Sequence, residues 1–97
     1  MNQLKLVASI LEKSALRYTP AGIPIANALL AHRSQQMQAN ALRDAEFEIV
    51  AIAAGDISKR FLELELGVAA EFTGFLVRKN RNSKSLVFHI TNFEKIE

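Results

Sequence analysis

Apolar and polar residues alternate with a period of two through most of this chain, the spacing of half-buried strands rather than of helices. Leu4, Leu6, Ala8 and Ile10 share one parity and Lys5, Val7, Ser9 and Leu11 the other, which predicts a first strand. Lys13 to Arg17 read as its end and a connection, with Leu16 tucked inward. Thr19-Pro20-Ala21-Gly22 carries the chemistry of a type I turn, Pro20 with φ pre-set at the second position and Gly22 at the fourth. Pro24 has no N–H for a ladder interior, so it fits only as the first residue of a second strand. In that strand Ala26, Ala28, Leu30 and His32 project to one side, and Ile25, Asn27, Leu29, Ala31 and Arg33 to the other.

Gln35 to Asn40 is polar and free of β-branched residues, and reads as a hairpin loop between the second and third strands. The third strand runs from Glu46 to Ala54, with Phe47, Ile49, Ala51 and Ala53 opposite Glu46, Glu48, Val50, Ile52 and Ala54. Both of its faces turn apolar toward the end, as in a strand entering a small barrel. Gly55-Asp56 breaks the alternation. Asp56 is a candidate N-cap, Ile57, Phe61 and Leu64 follow at helical spacing, and Gly67 ends the helix. Leu62, Leu64 and Leu66 also alternate with Glu63 and Glu65, which leaves an extended reading open for that end. Val68 to Phe75 forms a fourth strand, and Gly74 inside it marks a bend or a close backbone approach. Arg78 to Lys84 is a basic hairpin loop. Leu86 to Phe93 is the fifth strand, with Leu86, Phe88, Ile90 and Asn92 against Val87, His89, Thr91 and Phe93.

Three strands, one short helix and two strands is the order of an OB-fold, a five-stranded Greek-key barrel with its helix between the third and fourth strands. A β-sandwich needs about seven strands, and an SH3-like barrel carries no helix there. The expected fold is therefore all-β, one OB-fold domain over residues 1–97, with closure protecting its strand edges.

Composition narrows the function. The 97 residues include no cysteine, which excludes disulfides, thiolate metal sites and thiol nucleophiles. No apolar run approaches the ~18 residues of a membrane span, and the N-terminus lacks the pattern of a secretory signal, so a cytoplasmic location is expected and no membrane contact. The net charge of +2 hides a segregation. Lys13, Arg17, Arg33 and Arg43 lie in an acid-free block, as do Arg78, Lys79, Arg81 and Lys84, and seven acids fall between them in residues 44–71. The only histidines, His32 and His89, are far apart and have no metal-binding spacing. Glu46 and Glu48 share a strand face without a partnered nucleophile. Catalysis is not expected, and no cofactor or metal is implied.

A nucleic-acid reading has more to use. An OB-fold binds its ligand on the second and third strands, between the 1–2 and 4–5 loops. Arg17 and Tyr18 fall in the first of those loops, Arg33 on the second strand, and Arg78, Lys79, Arg81 and Lys84 in or beside the other loop. Cations in such a groove follow the phosphate backbone, and aromatic rings stack bases. Phe61, Phe72 and Phe88 have core positions, which leaves Tyr18, Phe47 and Phe75 as stacking candidates. Phe75, opposite in parity to Phe72, either lines the groove or is buried in a dimer interface.

Asn2-Gln3-Leu4, Pro20-Ala21-Gly22-Ile23-Pro24, His32-Arg33-Ser34, Arg43, Gly67, Thr73-Gly74-Phe75 and His89 together resemble the family of primosomal replication protein N (PriB), small relatives of bacterial single-stranded DNA-binding protein. The Gly-Ile-Pro turn followed by His-Arg-Ser is the most specific part. The resemblance spans nearly the whole chain. It implies a homodimer with one OB-fold per subunit, no catalysis, single-stranded DNA binding, and action in replication restart beside the PriA helicase and the DnaT loader. Arg17 and Arg33 match basic DNA-contacting positions of that family. Lys79, Arg81 and Lys84 match in character only, because the 4–5 loop is shorter here. At the start of the third strand, where members such as the enterobacterial one have an aromatic, this chain has Glu46, and Phe47 follows on the opposite face. An aromatic of the 2–3 loop is also missing. The expectation is weaker single-strand binding, with more of the function carried by protein partners.

Overall fold

The computed structural model describes residues 1–96. Its elements are β1 (Leu4–Lys13), β2 (Arg17–Tyr18), β3 (Pro24–Gln38), β4 (Ala41–Ala54), α1 (Ile57–Leu62), β5 (Ala69–Arg78) and β6 (Leu86–Lys95). They form one sheet in the order β1-β5-β6-β4-β3-β2, and an additional β1–β3 pairing closes it into a barrel. β1 makes the closure by serving two neighbours. Residues 4–9 pair with β5, and residues 9–13 pair with β3 across a bulge between Ile10 and Glu12. β4 and β6 are parallel and all other pairs antiparallel, the OB-fold topology that the order of elements predicts.

The inward parity of each strand supplies the core. Leu6, Ala8, Ile10, Ala26, Ala28, Leu30, Ala51 and Ala53 are buried with Phe72, Phe88 and Ile90, and Phe61 of α1 fills the end of the barrel. Small alanines on β3 and β4 leave room for the large phenylalanines within so narrow a barrel. Phe61 meets Phe72 and Phe93 edge-on, with centroids 5.9 and 6.0 Å apart. Strict alternation puts Phe93 on the outer parity of β6. An irregularity at the Thr73/Gly74 step of the β5–β6 ladder, where Thr73 faces Asn92 and Gly74 faces Ile90, leaves Thr91 unpaired and turns Phe93 inward.

The Pro20 turn forms as its residues dictate. Gly22 N–H donates to the Thr19 carbonyl at 2.8 Å, and β3 begins at Pro24. Three local expectations are corrected. Arg17 and Tyr18 are not free loop residues but a two-residue strand paired with Ile25 and Pro24. The Asp56 side chain makes no cap hydrogen bond, since its own backbone is already helical; buried Ser58 instead donates through Oγ to the Gly55 carbonyl at 2.7 Å. The short helix forms, but it ends at Leu62 rather than at Gly67, and residues 63–66 are turns and bends, neither helical nor extended.

The largest correction concerns residues 35–40. β3 and β4 stay paired out to Gln38 and Ala41, so the loop shrinks to Ala39 and Asn40. Both have positive φ, 52° and 65°, the requirement of a two-residue type I′ hairpin. The result is a long β-arm, exposed on both faces beyond Ser34 and Ala45. Backbone pairing and a few cross-strand side-chain contacts, such as Gln35 to Asp44, sustain it, and with neither face buried its side chains carry no apolar alternation from which a strand could be read.

Lys13, the first cation of the amino-terminal basic block, is committed to the fold. Its ammonium donates to the carbonyls of Leu62 and Leu64, at 2.7 and 2.9 Å, and so closes the open end of α1. A Lys13→Met variant is expected to lose about 1 kcal/mol, because these bonds are partly solvent-screened. For a domain of this size that lowers the melting temperature by roughly 4–8 °C. Thermal circular dichroism measures it, and DNA binding is expected to be unaffected.

Candidate nucleic-acid interface

Two transverse rows of outward side chains pave the face of the barrel between the loop of residues 14–23 and the loop of residues 79–85. The registers of β3, β4, β6 and β5 align Leu29, Val50, Val87 and Val77 in one row, and Asn27, Ile52, His89 and Phe75 in the next. The floor is therefore mainly apolar, with one polar side chain at one end and a ring pair at the other. Phe75 and His89 lie flat against each other, centroids 5.1 Å apart and planes 10° from parallel. Phe75 is 36% exposed and His89 half-buried.

Cations stand on opposite walls of this floor. Arg17 enters from β2. With the Asn27 amide oriented so that its oxygen faces the guanidinium, that oxygen accepts from Nε and Nη2, each at 3.2 Å. Asn27, the one polar interruption in the apolar run of β3, thus holds Arg17 over the floor. Arg78 and Lys79 come from the other wall, where β5 runs out. Arg17, Asn27, Ile52, Arg78, Lys79 and His89 border one cleft of about 490 Å³. Tyr18, 59% exposed, adjoins it on the Arg17 side, next to Ile25, Ile52 and Ala54.

The 79–85 loop is compact rather than loose. Lys79 N–H donates to the Ser85 carbonyl, Ser83 N–H to the Asn80 carbonyl, and the Asn82 and Ser85 amides to the side chains of Asn80 and Ser83. Arg81 and Lys84 are exposed on this loop. Of the residues the sequence singled out, Arg17, Arg78 and Lys79 therefore border one cleft, Tyr18 and Phe75 adjoin it beside Arg17 and His89, and Arg81 and Lys84 lie on the exposed loop that follows Lys79.

Arg33 and Phe47 do not join them. Arg33 points outward but lies further along β3, opposite Glu46, and its Nε is 2.8 Å from the Glu46 carboxylate. The cation is exposed, yet its charge is locally matched. Phe47 has the inward parity of β4, and its ring packs on His32 at 5.0 Å, beside Val7, Ser9 and Ala69 at the mouth of the barrel. His32 is fully engaged. Its Nδ1–H donates to the Val7 carbonyl at 2.6 Å, and Nε2 accepts from the Ser34 hydroxyl at 2.8 Å, the tautomer that the carbonyl acceptor requires.

Sequence reasoning missed Asn27, Val50, Ile52 and His89 as parts of this surface. The outward parity of the third and fifth strands carried the signal for all but Asn27, whose polarity within an apolar strand was its own signal.

Known proteins share this fold and, in part, this sequence. A family model described as another single-strand binding protein family matches residues 2–92. Replication restart protein PriB of Nitrosomonas europaea is 39% identical over 89 residues, covering 92% of this chain and 82% of that protein. The structure of PriB from Ralstonia solanacearum superposes with a TM-score of 0.91 at 41% identity, covering 100% of this chain and 99% of the other. The wild-type single-stranded DNA binding protein of Thermus aquaticus shares the fold alone, with a TM-score of 0.78 at 22% identity over 100% of this chain and 50% of its own.

Proposed function

Because the chain belongs to the PriB family of replication restart proteins, we propose that it binds single-stranded DNA in the cleft between Arg17 and Arg78–Lys79, as a non-catalytic component of the replication-restart primosome. The observation that carries this reading is the convergence of two basic segments, remote in sequence, on opposite walls of one apolar and aromatic floor. Phosphates follow the cations while bases lie on the floor, so affinity depends little on sequence and strongly on salt. In this reading the protein assists the PriA helicase, hands on to the DnaT loader and works in the cytoplasm as a homodimer. Residues 4–8 of β1 pair only with β5, which leaves a backbone edge on the other side flanked by exposed Val7 and Leu11; that edge supports pairing with a second copy.

Fluorescence anisotropy of a labelled oligothymidine of about 30 nucleotides, titrated at several salt concentrations, tests the reading. The expected log–log slope is roughly −2 to −4, or three to six phosphates at about −0.7 each. Absence of binding at low salt would refute it.

A second reading is favoured by the Arg33–Glu46 pair, with Glu48 and Asp44 on the same face of β4, where the barrel passes into the β-arm. Beyond the cleft this face is acidic, so the protein would serve chiefly as an adaptor for the helicase and loader, with weak DNA contact. An Arg17→Glu variant separates the two. Loss of DNA binding together with helicase stimulation supports the first reading, and loss of DNA binding alone supports the second.

A further inference from the structure

We propose that the outer edge of β4, where it runs along the β-arm, docks an extended basic segment of a partner protein, which adds to the sheet as a further strand. The proposal deepens the adaptor reading and does not depend on the DNA cleft. An unpaired ladder carries it. β3 covers one side of β4 from Ala41 to Ala54, whereas β6 joins the other side only from Val50 to Ala53. Residues 41–49 therefore have a free side, and among the described residues no other strand or loop backbone bonds to it. In an antiparallel ladder every second residue turns its N–H and C=O away from its partner. Those groups stand in a row along the arm, a ready template for an incoming strand.

The side chains of this stretch select the strand. Asp44, Glu46 and Glu48 share one face, and Ala45 and Phe47 the other. Arg33 matches only Glu46, so among the described residues Asp44 and Glu48 form no ion pair. Charge on an open edge protects a sheet from unwanted pairing, and here the protection is selective. Antiparallel pairing with a second copy of this edge about Glu46 sets Asp44 against Glu48, and like charges directly opposite destabilise a pair. A strand with lysine or arginine at alternate positions meets the same acids with the favourable sign. Its intervening apolar residues then lie beside Ala45 and Phe47, the latter 42% exposed. The other free edges, residues 4–8 of β1 and 32–38 of β3, carry Lys5 and Arg33 and no acid, so they do not compete for such a strand.

The probe is a short blocked peptide of alternating lysine and valine. Its control is methylated at every backbone nitrogen, which keeps each charge and side chain but removes the donors of strand pairing. Both are titrated calorimetrically into the full-length protein and its Asp44→Lys, Glu48→Lys and Glu63→Lys variants, whose folding is established by thermal circular dichroism. The unmethylated peptide is expected to bind at least about tenfold more tightly than the methylated one. Asp44→Lys and Glu48→Lys are each expected to weaken its binding about fivefold. Glu63 is an exposed acid beyond α1 and off the arm, and its reversal is expected to change binding by no more than about twofold. Amide hydrogen exchange is expected to slow within residues 42–48 on binding, and not within residues 4–8.

Equal binding of the two peptides, or equal losses in all three variants, would mean that net charge alone attracts the probe, and would overturn the proposal. Absence of binding at about millimolar peptide would also overturn it, as would exchange protection at residues 4–8 or 32–38 instead. A change of oligomeric state of Asp44→Lys or Glu48→Lys in sedimentation would assign the edge to a second copy and exclude a partner strand. None of these outcomes decides the adaptor reading, which depends on whether helicase stimulation survives Arg17→Glu.

Discussion

A Gly74→Ala variant is expected to lose about 3 kcal/mol of stability or more, and its melting temperature to fall by roughly 15 °C. Steric space, not backbone conformation, is the cause. A Cβ on residue 74 would fall far inside van der Waals contact distance of the His89 carbonyl oxygen, and against the carbonyl carbon and the Phe88 ring as well. A flexible side chain could turn away, but a backbone carbonyl in a ladder moves only if β5 and β6 separate. Overpacking a core commonly costs about 1–3 kcal/mol, and strand separation adds broken pairs to that. Because small domains are stable by only about 5–15 kcal/mol, the loss is a large share of the total. Gly67→Ala is the control. Gly67 has φ of 80° with open space around it, so the variant carries only the left-handed strain of a side chain, about 1 kcal/mol. Urea unfolding of both variants measures the contrast. Equal stabilities would mean that the β5–β6 approach is not tight in solution, and the flat Phe75–His89 stack would lose its support.

Gly74 also marks where reading the sequence succeeded and where it stopped. A glycine inside an alternating strand signals a close approach, and that much was legible. What approaches it was not, because the partner depends on register across the β5–β6 ladder. One residue left unpaired in that ladder reverses every parity beyond it, which is how Phe93 came to face the core. The same limit hid His89. Alternation placed it outward, but pairing with Phe75 is a property of two strands and not of either one. The barrel order was legible because each of the five main strands buries one face and says so by its period. The β-arm buries neither face, so Gln35, Gln36, Met37 and Gln38 showed only polarity and exposure, the signs of a loop. Cations were readable as charges but not as roles. Lys13 caps a helix, Arg33 is matched by Glu46, and only Arg17, Arg78 and Lys79 stand together over the cleft.

Glu46→Trp is expected to tighten oligothymidine binding by about 1–3 kcal/mol, roughly five- to 150-fold, the value of one base stacked on an added aromatic. Glu46 lies outward on β4 in the same longitudinal file as Ile52 and Val50, so a ring there would extend the floor of the cleft along the strand rather than open a separate site. Two effects combine in this variant, stacking gained and repulsion removed. Glu46→Gln separates them. It frees Arg33 from its 2.8 Å partner without adding a ring. Because that ion pair is exposed, its contribution is small, and the gain from the Gln variant is expected to be no more than about fivefold. A freed Arg33 neutralises one further phosphate, so the salt slope should steepen by about 0.7. Arg33→Ala should change little in the wild-type background and should cancel the gain of Glu46→Gln, since a matched cation has little to lose and a free one has a phosphate contact. Unchanged affinity in the Trp variant would mean that the strand never reaches this part of β4. The acidic face of the arm would then belong to a protein partner, and DNA contact would end at Arg17, Arg78 and Lys79.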